Sequence, residues 1–482
     1  MFTAKDLYLT IDQGGHASRV MVFNAEGDVV THHQKEISTL HPRPYFVEHD
    51  ANAMLQSIRQ CLEETAAELG PRVQHLVAAG IATQRSNVVC WDRQTGQALS
   101  PIISWQDTRN FEWMAHLDIE RDAIHNATGL FPSAHYGASK LRWCLDHIEE
   151  VKRAQQQQRL SCGPMSSFLV ANLLLEKPCL ADSVSASRTL LWHIAQKDWD
   201  TSLLARFGIP REVLPQCVPT RYEFGHLAVG DKNVPVKIVT GDQSAAMFAY
   251  GDLQYETAYV NVGTGAFISR PSGHTKISAR RLLTSVIYSE DGESQYVLEG
   301  TVNGAGSAID WMQQHYPVKD LWQQLPQWLK TETDPPLFLN GISGLAAPYW
   351  IADFETELTH DKNTAANYVA VIESIAFLLN ANVQEMLKFS SPPQQLQITG
   401  GLGRLDGLCQ RLSDLCRLPV YRPAECEATA RGTAYLVAGS PSRWPENRHG
   451  DWFSHASNTT VLDRRFLLWE HAMLQRMRKM AA

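Results

Sequence analysis

The sequence predicts an α/β protein built from two domains. Strand-like and helix-like segments alternate up to about residue 244, a pattern typical of sheets covered by helices. The strand, glycine turn and second strand at the start of the chain recur at residues 256–270. At 482 residues, the chain is also too long for one hydrophobic core. We therefore expect a first domain over residues 1–244 and a second over residues 245–482, with a cleft between them.

The first domain opens with two strand-like segments, LYLTI and RVMVF, joined by a glycine turn. Their apolar residues recur at every second position, which is typical of a β-hairpin. A helix is predicted from Asp50, a residue type that often caps helices, with Met54, Leu55 and Ile58 on one apolar face. The apolar segments LVAAGIAT and NVVCW that follow are predicted strands.

The second domain repeats this order. ETAYVNVGTGAFISR predicts another hairpin, and LQITGGLGRLDGLCQRL predicts a strand, a glycine turn and an amphipathic helix. YVAVIESIAFLLNANVQEML and the Gly/Ala-rich ECEATARGTAYLVAG are predicted helices.

The composition argues against several classes of protein. Hydrophobic residues make up 44% and charged residues 20%, as in ordinary globular domains, and the net charge of -8 argues against a broad surface for nucleic acid or anionic membrane. No uninterrupted apolar run approaches the roughly 18 residues of a membrane helix, and the first residues lack the apolar core of a secretory signal. The nine cysteines are scattered, without the spacing of a zinc site or a disulfide framework. We expect a cytoplasmic protein without nucleic-acid or membrane partners.

Three glycine turns suggest an anion site, although the chain lacks a GxxxxGK[ST] phosphate loop. The turns are Gly14-Gly15, Gly263-Thr264-Gly265 and Gly400-Gly401. Glycine turns let backbone N–H groups converge on an anion without obstruction by side chains. One such turn alone is usually structural. Three in this order, two of them accompanied by carboxylates, favour a polyphosphate site.

The carboxylates are Asp12 and Asp242. Asp242 follows the predicted strand VKIVTG, and the carboxyl ends of strands are where open α/β sheets usually bind ligands. Alternatively, Asp242 caps the helix that begins at Gln243. Asp12 either serves the same site or accepts hydrogen bonds from its own turn. The pattern leaves these alternatives open.

An ordered set of motifs extends from residue 7 to about residue 440: DQGGHASRVMVF, YFVEHDANAML, WQDTR, IPREVLP, GDQSAAMFAYG, GTGAF, LEGTVNGAGSAIDW, GLAAPYW, ITGGLG and EATARGTAYL. This set resembles the FGGY carbohydrate kinases, most closely their glycerol kinase branch. The resemblance implies two actin-like, ribonuclease-H-like domains around a central cleft. It also implies that ATP, with Mg2+, phosphorylates a hydroxyl group of a small polyol or sugar there.

The resemblance also assigns roles to residues. Asp242 is the general base that takes the proton from the acceptor hydroxyl, the one proton transfer that phosphoryl transfer requires. Asp12 holds Mg2+, through water, because Mg2+ takes few direct carboxylate ligands. The residues implied for the acceptor are Gln84, Arg85, Trp105, His135 and Gln243. Those implied for the nucleotide and its phosphates are Gly14, Gly15, His16, Arg19, Gly263, Thr264, Gly265, Gly306, Gly400 and Gly401.

Several of these residues have structural alternatives. Arg85 can donate to two hydroxyls at once, and the Trp105 indole can lie against the C–H surface of a polyol. Without the family, Trp105 is more often a core residue, and Asp107 with Arg109 is more often a loop ion pair. Gly306 equally fits close helix packing.

The phosphate side departs from the family's pattern in two places. The family's first turn reads Asp-x-Gly-Thr-Thr/Ser-Ser, with hydroxyls facing the phosphates, and here Gly15 and His16 replace two of these residues. His16 either donates to a phosphate or faces solvent. The Asn pair that follows the adenine-side glycines is replaced by Leu405 and Asp406.

The acceptor side departs as well. Glycerol kinases follow the equivalent of Gln84-Arg85 with a Glu that binds substrate hydroxyls, and here this residue is Ser86. Their Tyr five residues before the Lys of the helix motif is matched by His135, although Tyr136 lies next to it. Because buried polar partners discriminate strongly between substrates, we expect a larger polyol, a ketose or a modified sugar as the acceptor. Glycerol stays open.

The leading hypothesis is an ATP-dependent polyol or sugar kinase, and the resemblance suggests a homo-oligomer. The alternative is a catalytically weak family member that binds sugar or nucleotide and acts through partner contacts. A third hypothesis, a pure ATPase of the actin or chaperone type, would not need Gln84, Arg85, Trp105 and Gln243 in one pocket.

Overall fold

The computed structural model describes residues 5–424, 427–442, 444 and 449–481. The chain divides into two units. Unit 1 comprises Met1–Leu253, Ser285–Tyr296 and Glu427–Glu446, and unit 2 comprises Gln254–Thr284, Val297–Cys426 and Asn447–Ala482. Residues 427–446, which the predicted division at residue 244 assigns to the second domain, therefore cluster with unit 1.

Strands and helices alternate through residues 5–253. The strands are β1 (Leu7–Gln13), β2 (Ala17–Phe23), β3 (Val29–Glu36), β4 (Glu48–His49), β5 (Leu76–Thr83), β6 (Val88–Asp92), β7 (Ile102–Ile103), β8 (Leu160–Pro164), β9 (Leu180–Asp182), β10 (Trp192–His193), β11 (Asp198–Trp199), β12 (Gln216–Val218), β13 (Arg221–Val229) and β14 (Lys232–Gly241). The α-helices are α1 (Ala51–Leu69), α2 (Phe111–His116), α3 (Arg121–Thr128), α4 (Gly137–His147), α5 (Glu149–Gln156), α6 (Met165–Leu173), α7 (Ser183–Ser187), α8 (Thr201–Phe207) and α9 (Asp242–Ala246).

The rest of the chain continues in the same α/β manner. Its strands are β15 (Thr257–Val262), β16 (Ala266–Gly273), β17 (Leu283–Glu290), β18 (Glu293–Val302), β19 (Phe338–Leu339), β20 (Glu357–Leu358), β21 (Gln395–Thr399), β22 (Val420–Pro423) and β23 (Gly450–Phe453). Its α-helices are α10 (Gly306–His315), α11 (Leu321–Thr331), α12 (Thr364–Met386), α13 (Asp406–Cys416), α14 (Ala428–Val437) and α15 (Thr460–Ala481).

The main sheet of unit 1 has the strand order β13-β14-β5-β1-β2-β3. As predicted, β1 and β2 form an antiparallel hairpin, and β1, β5 and β14 are parallel. Helices cover both faces of β5, since Ala79 and Ile81 belong to the core that includes α1, whereas a Cβ on Gly80 would contact Thr433 and Val437 of α14. This double covering explains why LVAAGIAT is a continuous apolar run.

The predicted start of α1 is confirmed. Asp50 is its N-cap, and its Oδ1 accepts hydrogen bonds from the backbone N–H groups of Asn52 and Ala53 at 2.8 and 2.9 Å. Met54 and Ile58 lie buried on the inner face. The cap satisfies N–H groups that the first helical turn leaves without partners.

Helix α14 packs closely against α9 because residue 432 is a glycine. A Cβ at Gly432 would lie 1.8 Å from the backbone oxygen of Ala245, closer than any real contact. Arg431 Nε donates to the backbone oxygen of Ala249 at 2.8 Å, and Thr429 Oγ1 donates to that of Asp242 at 3.3 Å. These contacts fix the short helix that begins at Asp242.

The sheet that contains the strands of unit 2 repeats this pairing pattern. Its strand order is β17-β18-β16-β15-β21-β22-β23, and residues 285–296 of β17 and β18 cluster with unit 1. Strands β15 and β16 form the predicted second hairpin, and β15, β21 and β22 are parallel. A separate hydrophobic core surrounds α12.

Among the described residues, α12 is long and apolar enough to cross a membrane, judged by length and composition alone. However, 89% of its most apolar window is buried among the side chains of the protein. A helix that is apolar on all sides is expected at the centre of a large core.

Candidate functional site

Three parallel strands of unit 1 end at the same edge of the sheet. In the strand register, Ala82 of β5 lies opposite Asp12 of β1 and Thr240 of β14. The next residue, Thr83, lies opposite Gln13 and Gly241. Asp12 therefore reaches the edge together with the residues that follow β5 and β14. The sheet brings the two predicted carboxylates to the edge where ligands usually bind.

Asp12 is a buried carboxyl in a cluster of charged groups. Its Oδ2 lies 3.5 Å from Arg19 Nη1, while Arg19 Nε lies 3.7 Å from Glu427 Oε2 and donates to Gln34 Oε1 at 2.7 Å. Burial raises the pKa of Asp12 to about 7; Arg19 opposes this rise, and Asp242 and Glu427 add to it. The sequence reasoning missed Glu427, which directly precedes α14 in the quoted motif EATARGTAYL.

Asp242 is the first residue of α9 rather than its cap. The N-cap is Gly241, so the alternative in which Asp242 caps the helix was wrong. Asp242 Oδ1 accepts a hydrogen bond from the backbone N–H of Gln243 at 2.7 Å. Burial raises the pKa of Asp242, against the opposing effects of Arg85, the Gln243 N–H and Arg188. The carboxyl is thus a stronger proton acceptor than an exposed aspartate.

The predicted acceptor residues after β5 are held by side-chain contacts. The Arg85 guanidinium donates to Gln243 Oε1, which leaves the amide N–H groups of Gln243 available as donors. Gln84 Oε1 accepts a hydrogen bond from Asn87 Nδ2 at 3.1 Å. Arg85 and Gln243 therefore lie in one network next to Asp242.

Asn87 connects Gln84 to the two other predicted acceptor residues. Its Oδ1 accepts the backbone N–H of Trp105 at 2.7 Å, and the backbone oxygen of Trp105 lies 3.1 Å from His135 Nδ1. Burial lowers the pKa of His135, and Lys140 lowers it further, so the ring is neutral at pH 7. With its Nδ1–H directed at the Trp105 oxygen, Nε2 is a hydrogen-bond acceptor. Sequence reasoning missed Asn87.

The alternative for Asp107 and Arg109 is confirmed. Arg109 Nη2 lies 2.7 Å from Asp107 Oδ2 and 2.6 Å from Glu48 Oε1, and its guanidinium lies over the rings of Phe46 and Trp143. These contacts make the pair a structural anchor of the WQDTR loop.

The first glycine turn, Gly14-Gly15, is closed by a backbone hydrogen bond. The backbone N–H of Gly14 donates to the oxygen of Ala17 at 3.1 Å. A Cβ on Gly15 would meet the flexible side-chain amide of Gln84 at 2.8 Å. The His16 side chain is exposed, and its backbone oxygen accepts from Ile37 at 2.9 Å. Its place leaves both predicted alternatives for His16 open.

In unit 2, the turn between β15 and β16 presents Thr264 as an exposed residue. The backbone N–H of Gly263 donates to the oxygen of Gly265 at 2.8 Å, which closes the turn. The start of α10 supports it from one side, because a Cβ on Gly306 would lie 2.9 Å from the Gly263 oxygen. Close packing therefore explains the glycine at position 306.

The third glycine turn follows β21, which lies beside β15. Gly400 has a φ of +90°, and a Cβ there would lie 2.6 Å from the oxygen of Val262, so only glycine fits. Gly401 is exposed, and no atom lies within 4 Å of the Cβ that it lacks. Leu405 is buried, and Asp406 Oδ1 accepts from Arg422 at 2.9 Å, so both serve the local packing of α13.

Among the described residues, no group of three or more His, Cys, Asp or Glu side chains could hold a metal ion by itself. A single buried carboxylate with a second one nearby suits Mg2+, which keeps water and shares phosphate oxygens. Asp242 raises the pKa of Asp12 by repulsion, which a bound cation would relieve. The donor set of unit 1 therefore fits Mg2+ bound with a nucleotide.

Comparisons with known proteins find the same family over most of the chain. The FGGY family of carbohydrate kinases, N-terminal domain, matches residues 7–249, and its C-terminal domain matches residues 258–440. A glycerol kinase of Allorhizobium ampelinum is 33% identical over 91% of this chain and 90% of its own length, and one of Delftia acidovorans is 32% identical over 97% and 98%. The crystal structure of Plasmodium falciparum glycerol kinase with ADP has a TM-score of 0.87, 24% identity and 99% coverage of both chains. The predicted actin-like α/β fold class is confirmed.

Proposed function

This chain belongs to the FGGY family of carbohydrate kinases, and on that premise we propose that Asp242 accepts the proton of the acceptor hydroxyl during phosphoryl transfer from ATP. The enzyme class itself is the one that the motifs predict: an ATP-dependent kinase for a polyol or sugar, with Mg2+. The comparisons do not favour the alternative of a catalytically weak sensor.

The observation that carries the assignment of Asp242 is the shared edge of β1, β5 and β14. Phosphoryl transfer needs positioning, neutralisation of charge and one group that takes the hydroxyl proton. Asp242 lies at this edge beside the Arg85–Gln243 pair, and its raised pKa makes it a better base than an exposed aspartate. Arg85 keeps the Gln243 amide oriented next to it.

Asp12 is the residue that we assign to Mg2+. When bound, Mg2+ neutralises the charge on the phosphate oxygens. Arg19 lies next to Asp12 and is itself held by Glu427 and Gln34, so its guanidinium can meet a phosphate without leaving the cluster. We place Gly14, Gly15 and His16 on the same phosphate side, as the family pattern implies.

The nucleotide contacts of unit 2 are proposed for the two turns that end β15 and β21. Thr264 is exposed at the tip of this hydrogen-bonded turn, where its hydroxyl and its own backbone N–H can face a phosphate. The open surface at Gly401 would take the other end of the nucleotide, with Gly400 shaping the turn. Gly306 would act by supporting the Thr264 turn.

The acceptor pocket is proposed to consist of Gln84, Arg85, Trp105, His135 and Gln243. The neutral His135 offers one acceptor nitrogen where the family has a phenol. Ser86 is smaller than the family's Glu and lacks its charge, and its φ of 64° marks a tightly constrained segment. We therefore propose an acceptor with more than three carbons, a polyol, ketose or modified sugar, with glycerol as the comparison substrate.

Asp242→Asn tests the base. Turnover of ATP with glycerol, longer polyols and ketoses is measured first for the wild type and then for the variant. We expect kcat to fall by about 100-fold or more, with the KM for ATP nearly unchanged. Asp50→Asn is the matched control, because Asn caps α1 as well as Asp does. A loss of less than about tenfold in Asp242→Asn would show that another group takes the proton.

We propose four further assignments from indirect support. Eight of the nine cysteines lie among the described residues and all eight are free, which supports a cytoplasmic location. The resemblance supports a homo-oligomer, and the net charge of -8 supports the absence of nucleic-acid and membrane partners. The family models support a domain division near residue 244, since the first ends at residue 249.

A further inference from the structure

Lys140, on α4, is a fully buried lysine whose ammonium group donates only to backbone oxygens. Its Nζ lies 2.6 Å from the oxygen of His135, 2.7 Å from that of Ser104 and 3.3 Å from that of Ser86. Three donors and three acceptors match, so each N–H of the ammonium has a partner.

The three oxygens belong to three separate segments, and each segment carries a residue of the proposed acceptor pocket. Ser86 follows Arg85 in the loop after β5, Ser104 precedes Trp105 after β7, and His135 lies before α4. One side chain therefore connects the three segments that would surround the acceptor.

This arrangement is not explained by stability alone. Burial lowers the pKa of Lys140 to about 7, with Asp107 opposing this effect and Arg109 adding to it, so burying the charge costs stability; the three backbone oxygens favour the ammonium form, which alone has three N–H groups to donate. Asp107 is already bound by Arg109 and by the N–H of Val47 at 2.7 Å. A charge kept in such a place makes strong, directional bonds to the loops.

A second side chain, Asn87, also connects two of these three segments. Asn87 joins the first two, because it donates to Gln84 and accepts the N–H of Trp105. Lys140 adds the third segment, that of His135. The positive φ of Ser86, 64°, lies within the connected region, where the backbone is held in a conformation that serine rarely adopts.

We propose that Lys140 is a positioning residue that sets the spacing between Arg85, Trp105 and His135, and thereby selects the size of the acceptor. The proposal rests on the acceptor pocket assigned above. Lys140 does not touch the substrate, since its three N–H groups are directed at the backbone. Its removal changes how the pocket is shaped and leaves the nucleotide side intact.

The test uses the full chain with Lys140→Met, which keeps the length of the side chain and removes the donors. Leu141→Ala is the control, because Leu141 is equally buried on the same helix and its loss weakens packing without loss of these bonds. Amide hydrogen exchange is followed in residues 84–87, 104–106 and 133–136. Steady-state kinetics are measured for ATP and for a series of polyols and ketoses of three to six carbons.

In Lys140→Met, we expect the backbone amide hydrogens of all three segments to exchange faster than in the wild type. In Leu141→Ala, we expect faster exchange mainly within α4. The acceptor KM of Lys140→Met should rise about tenfold, and the KM for ATP should stay within about twofold. The kcat/KM values of the different acceptors should become more alike, because the pocket selects less by size. If Lys140→Met does not fold, Lys140→Arg, which keeps a donor, should show the same changes in weaker form.

Two results would overturn the proposal. One is unchanged exchange in the three segments of a folded variant, and the other is a kinetic change that Leu141→Ala reproduces or that affects ATP equally. If the wild type phosphorylates no acceptor of the series, the proposed function fails, and the exchange data alone decide whether Lys140 holds the segments.

Discussion

Asp12 leads to a prediction about stability that can be worked out from its surroundings. Its pKa is 3.8 in an unfolded chain and about 7 in the folded protein, because burial outweighs the attraction of Arg19. The folded state therefore keeps a proton that the unfolded state has lost. The stability from this group is present below pH 3.8 and is lost as pH rises through 7. At 1.36 kcal/mol per pKa unit, the loss approaches about 4 kcal/mol.

Asp12→Asn removes this titration while it keeps the shape of the side chain. The free energy of unfolding of the ligand-free, metal-free protein is measured with urea at pH 5, 6, 7 and 8. We expect the variant to gain on the wild type most steeply between pH 5 and 6, less as pH passes 7 and little above it, because the folded carboxyl is then ionised as well. Asp12 would thus lower the stability of the metal-free protein near pH 7, although the proposed function uses its carboxylate to hold Mg2+.

Asp92→Asn is the control with the opposite sign. Burial raises the pKa of Asp92, but the N–H groups of Thr95 and Gln94 and the Arg159 guanidinium outweigh it, so the pKa is lowered. Its stabilising effect is fully present above pH 5, and the deficit of the variant should be constant from pH 5 to 8. An equally constant difference for Asp12→Asn would refute the argument, because it would show Asp12 ionised throughout.

Three more predictions follow from packing. Gly432→Ala should lower the free energy of unfolding by about 3 kcal/mol, since its Cβ would overlap the Ala245 oxygen; an unchanged urea midpoint would contradict the close packing. Gly401→Ala should leave thermal stability unchanged and weaken ADP binding by calorimetry, and equal affinity would place the nucleotide elsewhere. Arg465→Met should cost about 3 kcal/mol in urea unfolding, because the buried Glu373 carboxylate loses its partner at 2.7 Å and keeps Arg411 Nε only at 3.5 Å; a cost under about 1 kcal/mol would mean that Arg411, a proton or water replaces Arg465.

Much of the fold could be predicted because its signals are local. The β1–β2 hairpin alternates at every second residue, α1 has its cap at Asp50, and the apolar run LVAAGIAT coincides with β5. The sequence left open whether Asp242 caps its helix, because Asp is common both at caps and in first turns. The structure decided it by placing the cap at Gly241.

The partners of the site residues could not be predicted from spacing. Glu427 reaches Arg19 because α14 returns to the sheet of unit 1, although it follows unit 2 in the chain. The sequence motifs do not include a role for Asn87, and they mark Lys140 only as the Lys of the helix motif; the contacts with distant loops show what these two side chains hold. A side chain's partners depend on register and packing, which no short motif contains.

The sequence by itself determined the family, since the ordered motifs resemble the FGGY carbohydrate kinases from residue 7 to about residue 440, and it made a polyol or sugar kinase the leading hypothesis. It also determined where this chain departs from the family's pattern, including Ser86 and His135. Only the tertiary structure decided that Asp12 and Asp242 reach one edge and that Asp242 raises the pKa of Asp12. It also decided that Lys140 holds three segments together. The physical reason is that strand register and burial set distances and pKa values, and both arise from contacts between residues far apart in the chain.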